Sequence, residues 1–297
     1  MSFRYKFSSK WGTPGSGVGQ FFFPNGVARD SSGNVYVADS RNNRIQKFAS
    51  NVSPITVWGT QGSGNGQFNS TGDIAVDASG NVYATDTNNH RIQKFRKDTS
   101  FIRAWGGYGS GDGQFSIPDG VALDSSSNVY VADAGNHRIQ KFTNEGTFIR
   151  KWGTPGSGNG QFNATSDIAV DSSANVYVAD TDNNRIQKFT NEGQFIRAWG
   201  IQGSGDGQFN KPGGVAVDSS ANVFVSDTLN HRIQKFTNEG QFITKWGSVG
   251  SADGQFIAPV GLAIKSANIS FLEERAFVVD NNNHRVQVFR PELISDT

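Results

Sequence analysis

The sequence contains no cysteine among its 297 residues. That excludes a disulfide-stapled scaffold and any zinc site built on thiolates. No apolar run approaches the roughly 20 residues that span a bilayer, and the N-terminal MSFRYKFSSKW lacks the apolar core of a signal peptide. The chain therefore reads as soluble and without a membrane span. Its compartment stays open, because the same residues could form a domain of a longer extracellular protein. Charge of one sign is missing too: 27 Lys and Arg stand against 26 Asp and Glu, so there is no global basic footprint for nucleic acid and no acidic tail. Nor does any segment sustain a 3.6-residue apolar period, so helix content should be near zero.

What is present is a repeat. Trp11, Trp58, Trp105, Trp152, Trp199 and Trp246 stand 47 residues apart, and a glycine follows each. A fixed period of this length marks a ring or array of stacked units. In the third unit four short runs recur: GVALD (120–124), NVYVAD (128–133), RIQKF (138–142) and TFIRKW (147–152). They are rich in Val, Ile, Phe, Tyr and Trp and are separated by the turn sequences DSSSN, AGNH and TNEG, so they read as strands. Val129 and Val131 point one way while Tyr130 and Ala132 point the other. A four-stranded sheet that is apolar on both faces cannot stand alone and must be sandwiched between copies of itself. Six copies close into a β-propeller, which leaves only short, protected edges.

The termini fit a closed ring. The chain begins with a fourth strand that has no blade, in which Phe7 and Trp11 take the places of Phe101 and Trp105, and it ends after a third strand, RVQVFR. The expectation is one all-β domain over residues 1–297, a six-bladed propeller of four-stranded antiparallel blades. Residues 1–11 supply the outer strand of blade six. Two irregularities flank this seam: six extra residues between Lys265 and Asp280, relative to Asp218–Asp227, and the connection ASNVSPI in blade one.

The recurring pattern P-x-G-V-A-V-D, N-V-Y-V-A-D, N-x-R-I-Q-K-F, F-I-x-x-W-G resembles the NHL repeat, for example at Pro118–Asp124, Asn128–Asp133 and Asn136–Phe142. The resemblance covers nearly the whole chain. It implies a six-bladed propeller whose first strands line the central channel, and it implies no single function. NHL propellers include RNA-binding and protein-binding modules, sensor domains of membrane kinases, and a lyase acting on amidated peptide precursors.

Every unit has an Asp followed five residues later by an Arg: Asp39/Arg44, Asp86/Arg91, Asp133/Arg138, Asp180/Arg185, Asp227/Arg232 and Asp280/Arg285. A hairpin places each pair directly opposite, and six identical copies point to a structural device. The histidines, His90, His137, His231 and His284, precede these arginines in four different blades, with Asn43 and Asn184 in the same place elsewhere. A converging zinc site is therefore not expected, and no cofactor is implied. The glycine-rich connections such as GSGNG lack the helix and lysine of a phosphate loop and read as positive-φ links. The sequons at Asn51, Asn69, Asn163 and Asn268 read as chance in an Asn/Ser-rich chain.

Propeller connectivity puts the first-to-second and third-to-fourth turns on one face, here the turn face. It carries Asp30, Asp77, Asp124, Asp171, Asp218, Glu145, Glu192 and Glu239 and should be acidic. The second-to-third turns and inter-blade links form the connection face, which should be nearly neutral. The repeat is least uniform at the channel mouth, just before each innermost strand. Aligned there are Asn25, Gly72, Asp119, Ser166, Gly213 and Val260, then Gly26, Asp73, Gly120, Asp167, Gly214 and Gly261. Asn25, Asp73, Asp119, Ser166 and Asp167 are the candidate ligand-binding residues, suited to a cation, an amine or a basic side chain. The competing reading is that Asp73 and Asp167 cap local turns. The function expected is a non-enzymatic, monomeric scaffold that binds a protein, peptide or small ligand on the loop face around the channel. A single-stranded RNA reader and a lyase- or lactonase-like enzyme are the alternatives.

Overall fold

The computed structural model describes residues 3–266 and 271–294. The strands sort into six four-stranded antiparallel sheets, five formed in chain order. Blade three runs through Pro118–Leu123, Val129–Asp133, Arg138–Phe142 and Phe148–Trp152. Blade six pairs Pro259–Lys265, Arg275–Asp280 and Arg285–Leu293 with the N-terminal strand Phe3–Trp11. That strand's register runs from Phe3 opposite Leu293 to Trp11 opposite Val286, with one bulge after Phe7. The only helical pieces among the described residues are three-residue 3-10 turns, and no helix is long and apolar enough to cross a membrane.

Alternation along each strand builds the core. Tyr130, Ala132 and Ile139 face blade four and meet Phe162, Ile168, Val176, Val178 and Phe189. Val129, Val131 and Phe142 face blade two and meet Tyr83, Ile92 and Phe115. Each blade is thus the filling between two others. Val, Ile and Phe at these positions are almost fully buried, each stabilising by roughly 1.5–3 kcal/mol.

The Asp/Arg pair turns out to be the hub that ties each blade to the link entering it. Asp133 has no exposed surface. Its Oδ2 accepts from Arg138 Nε at 2.7 Å, Asn136 Nδ2 at 2.9 Å and Gln140 Nε2 at 3.0 Å, and its Oδ1 accepts from Ser116 N at 2.8 Å. Arg138 then donates to the carbonyls of Ser110, Gly111 and Gln114. The Asp–Arg contact repeats at 2.7 Å in all six blades. A buried carboxylate is tolerable because every lone pair has a donor and its charge has a partner. Gly109 and Gly113 in the link sit at φ 152° and 78°, so the glycines permit the backbone path as expected.

The turn face departs from expectation. Asp30, Asp171 and Asp218 are buried, and each aspartate of this row folds back on its own turn. Asp124 accepts from Asn128 N at 2.9 Å, Asn128 Nδ2 at 2.8 Å and Tyr130 OH at 3.0 Å. Glu145, Glu192 and Glu239 pair with Arg103, Arg150 and Arg197 of the preceding blade. The acidity counted from sequence is largely spent on turns and inter-blade ion pairs, so the face is not the acidic surface expected.

Candidate functional site

The innermost strands converge at the connection-face end of the channel. Glycine lets them: a Cβ at Gly26 would lie 2.3 Å from Asp73 Oδ1, and one at Gly261 would lie 2.3 Å from the Asn25 carbonyl. The gap is instead closed by inter-blade backbone bonds, Gly26 N to Gly72 O at 3.0 Å and Gly261 N to Asn25 O at 3.1 Å. The structure brings all five candidate residues together. Asn25, Asp73, Asp119, Ser166 and Asp167, with Gly26, Gly213 and Gly261, line one cavity of about 20 Å³. Their placement needs one correction. Asp73, Asp119 and Asp167 lie inside the strands Thr71–Val76, Pro118–Leu123 and Thr165–Val170, not before them. Each strand carries a register shift there, between Thr71 and Ile74, Pro118 and Val121, Thr165 and Ile168. A bulge turns a side chain that would otherwise alternate out of the channel toward the axis.

The three carboxylates are not equivalent. Asp73 Oδ2 accepts from Val121 N at 3.1 Å, and Asp167 Oδ2 accepts from Val215 N at 2.8 Å, each in the next blade. Asp167 Oδ1 also accepts from Ile168 N at 2.7 Å. These two therefore staple neighbouring blades, a longer reach than a local turn cap. Among the described residues Asp119 receives only a 3.3 Å bond from Asn25 Nδ2, which crosses the channel between non-adjacent blades. Ser166 Oγ is held by Thr181 Oγ1 at 2.6 Å and by the Gly213 carbonyl at 2.9 Å.

Burial pushes all three acids up. Asp119 rises to about 6, the Asn25 bond offsetting part of the desolvation. Asp73 is raised most strongly by burial and then by the charge of Asp167. Asp167 rises to about 7 through burial, with the Val215 and Ile168 N–H groups offsetting part of it, as Val121 and Ile74 do for Asp73. Beyond this constriction the channel widens to about 290 Å³, walled by Val, Ile, Leu and Ala of the inner strands. Among the described residues that line it the one cation is Arg29, where the other blades have Val76, Leu123, Val170, Val217 and Ile264. The guanidinium lies 5.0 Å over the Phe277 ring, supplying to blade six the cation that Val288 cannot.

A second cavity of about 210 Å³ adjoins the first through Asn25 and is lined by Phe23, Ser40, Arg41, Ser70 and Asn281. Blade one is aberrant here. Phe22 and Phe23 replace the small or polar residues of most other links, Arg41 lies 4.8 Å over the Phe23 ring, and Phe22 stacks on His284 at 5.6 Å. Sequence reasoning missed these residues, although the same alignment that singles out Asp119 shows them.

The histidines are committed elsewhere. His90, His137, His231 and His284 each cap a 3-10 turn in the left-handed region, at φ 53–55°. Their Nδ1 atoms accept from the backbone N–H of Ile117, Ala164, Ala258 and Phe23 in the next link, at 3.0–3.2 Å. Asn43 and Asn184 offer Oδ1 to Ser70 N and Lys211 N in the same way. Asn and His interchange because both tolerate this backbone and both present an acceptor. Among the described residues no three His, Asp or Glu side chains are disposed to hold one metal ion.

The architecture is that of a six-bladed β-propeller. The NHL repeat matches residues 21–48, 68–95, 115–142, 165–189 and 209–236, and the chain belongs to the NHL-repeat propeller family. No curated protein matches it. Among solved structures it is similar to virginiamycin B lyase from Staphylococcus aureus, at 14% identity, 99% of this chain, 100% of that one and TM-score 0.64. It is also similar to a gluconolactonase from Xanthomonas campestris, at 13% identity, 92% and 87% coverage and TM-score 0.68. A chain of a nidogen/laminin complex is similar at 19% identity, 75% and 79% coverage and TM-score 0.60. At these identities the likeness is one of fold. The neighbours include enzymes and a protein complex, and the fold is common to both.

Proposed function

We propose that the protein is a non-enzymatic binding module that lodges a primary ammonium group of a peptide or small ligand at the connection-face end of its channel. The observation that carries this reading is Asp119. It is a carboxylate without a backbone donor, beside two further acids, facing a cavity of about 20 Å³. A space of roughly 10–15 Å³ suffices for one water-sized group, so an ammonium head fits and a planar guanidinium does not. The adjoining cavity along Phe23 and Arg41 receives the body of the ligand. The commitment of every histidine to a backbone N–H supports a binding role over imidazole-based catalysis.

A cation favours the ionised acids, so affinity rises with pH through the range about 6 to 7 set by Asp119 and Asp167. The test is titration of n-butylammonium, followed by amide NMR shifts at Gly26, Gly72 and Gly120. Wild type should bind more tightly at pH 8 than at pH 5, and Asp119→Asn should weaken binding about tenfold, the loss of one charge-assisted hydrogen bond. Equal affinity in wild type and D119N at pH 8 contradicts the assignment.

A further inference from the structure

The fourth residue of each R-I-Q-K-F strand is a lysine that lies over its own blade's aromatic ring, and in blades two, three and four it reaches into the third-to-fourth turn of the next blade. Lys94 Nζ sits 5.1 Å over the Tyr83 ring and donates to the Asn144 carbonyl at 2.9 Å and to Glu145 at 3.1 Å. Lys188 meets the Asn238 carbonyl at 3.1 Å and Glu239 at 3.6 Å. Lys235, at the seam, finds Asp218 at 3.2 Å and Glu274 at 3.1 Å. The receiving turn in blades three, four and five is T-N-E-G.

Blade two has R-K-D-T there instead, residues 96–99. The lysine that faces it, Lys47, is 6% exposed. It lies 5.0 Å over the Tyr36 ring and makes no hydrogen bond or ion pair among the described residues. Burial and the like charge of Lys97 both disfavour its cation, while Asp30 acts on it favourably from beyond ion-pair distance. Asp30 itself is occupied by Asn34 and Tyr36. Asp98, the one acid in the turn, accepts from Ser100 N and Oγ. Lys47 thus lies at the base of a cleft of about 560 Å³ whose other walls are Ser79, Asn81, Arg96, Lys97 and Asp98. Neither Arg96 nor Lys97 is in an ion pair among the described residues, and both are exposed.

We infer that this cleft between blades one and two, on the turn face, binds a dianionic tetrahedral oxyanion, the phosphate group of a small phosphorylated molecule. A buried ammonium with no partner is stabilised by any anion that reaches it. Two further cations at the rim match the multiple oxygens of a phosphate, and Ser79 offers a hydroxyl. A monocarboxylate can neutralise one of the three cations and satisfies the cleft less well. The cleft is also larger than the anion alone, which suits a phosphate presented on a larger body. This site is independent of the channel.

The experiment compares wild type, Lys47→Met, Arg96→Ala/Lys97→Ala and the control Lys94→Met. Each is titrated with inorganic phosphate, O-phosphoserine and acetate at constant ionic strength, and binding is read by calorimetry and by thermal melting. Phosphate should bind wild type and K94M and raise their melting temperatures, acetate should do neither, and K47M should lose the response. R96A/K97A, which leaves the buried lysine in place, should bind about tenfold more weakly. Tighter binding of O-phosphoserine than of phosphate assigns the source as a phosphomonoester; equal binding assigns it as free phosphate. The inference is overturned if wild type shows no response that acetate does not also give, or if folded K47M responds as wild type does. Should K47M fail to fold, an unchanged affinity in R96A/K97A overturns it equally.

Discussion

The junction between blades two and three and the junction between blades one and two are written in almost the same letters, yet they settle one lysine differently. Lys94 is buried against Tyr83 and satisfied by a carbonyl and a carboxylate from the next turn. Lys47 is buried against Tyr36 in the same manner, and its receiving turn presents Lys97. The left-handed corner of that turn, a glycine at φ 77° in blade three, is Thr99 at φ 73° in blade two, a strained place for a β-branched residue. In a chain of near-identical units the common residues are accounted for by the fold. A departure that leaves a charge unpaired is therefore where binding is to be sought. The channel end follows the same logic, with Asp73 and Asp167 stapling blades and Asp119 left with one weak partner.

The largest effect expected concerns the seam, where closure depends on a strand from the other end of the chain. Deleting residues 1–11 removes every partner of the strand Arg285–Leu293 on that side, along with the Tyr5–Trp246 stack at 4.1 Å. Stability should fall by more than about 5 kcal/mol, since a whole packed strand is lost. A melting curve like that of the intact chain would show that the ring does not need this strand. Next comes the hub within an ordinary blade. Asp133→Ala leaves Arg138, Asn136 and Gln140 without their shared acceptor and should cost about 3–5 kcal/mol in chemical denaturation, the usual result of breaking a buried pair. A cost near zero would mean that the six hubs are ornaments of the repeat.

The fold was legible because two periods coincide. The 47-residue spacing of tryptophan counts the blades, and the alternation in V-Y-V-A-D shows that both sheet faces are buried, which only a ring of copies satisfies. The site was legible in part. Aligning six units singles out Asn25, Asp73, Asp119, Ser166 and Asp167 because they break the pattern, and they do line one cavity. What alignment could not supply is which partner each side chain takes. Asp73 and Asp167 bond to the next blade, and each histidine bonds to a backbone N–H 27 residues downstream or, for His284, across the seam at Phe23. Those contacts depend on how blades pack, and sequence periodicity is silent on that. The expected acidity of the turn face failed for the same reason: formal charges were counted before their partners were known.

A smaller effect separates Asp119 from the acids that serve as staples. Its folded-state value of about 6 lies above the ordinary carboxylate range. The folded chain therefore holds a proton that the unfolded chain has lost, and stability falls as pH rises from about 4 to about 7. The loss due to Asp119 should be on the order of 3 kcal/mol by pH 8, and D119N should flatten the decline of ΔG with pH by that amount. An unaltered pH profile in D119N would place the titration elsewhere. Smallest of all is the exchange that the repeat itself performs. His137→Asn should change stability by no more than about 0.5 kcal/mol, because Asn43 and Asn184 already hold the same bond. His137→Ala, which loses the acceptor, should cost more, and equal costs for the two would remove the Nδ1 bond from the account.

The measurement that bears most directly on the contrast between committed and uncommitted residues is the stability of K94M and K47M, measured side by side in phosphate-free buffer. Lys94→Met strands the Asn144 carbonyl and takes one of two cations from Glu145, which keeps Arg103, and should destabilise by about 1–2 kcal/mol. Lys47→Met removes a buried charge that has no hydrogen-bond or ion-pair partner among the described residues, and should leave the protein as stable as wild type or more so. If the two variants lose stability equally, Lys47 is bound into the fold as firmly as Lys94, and departures from the repeat do not mark residues held free for binding.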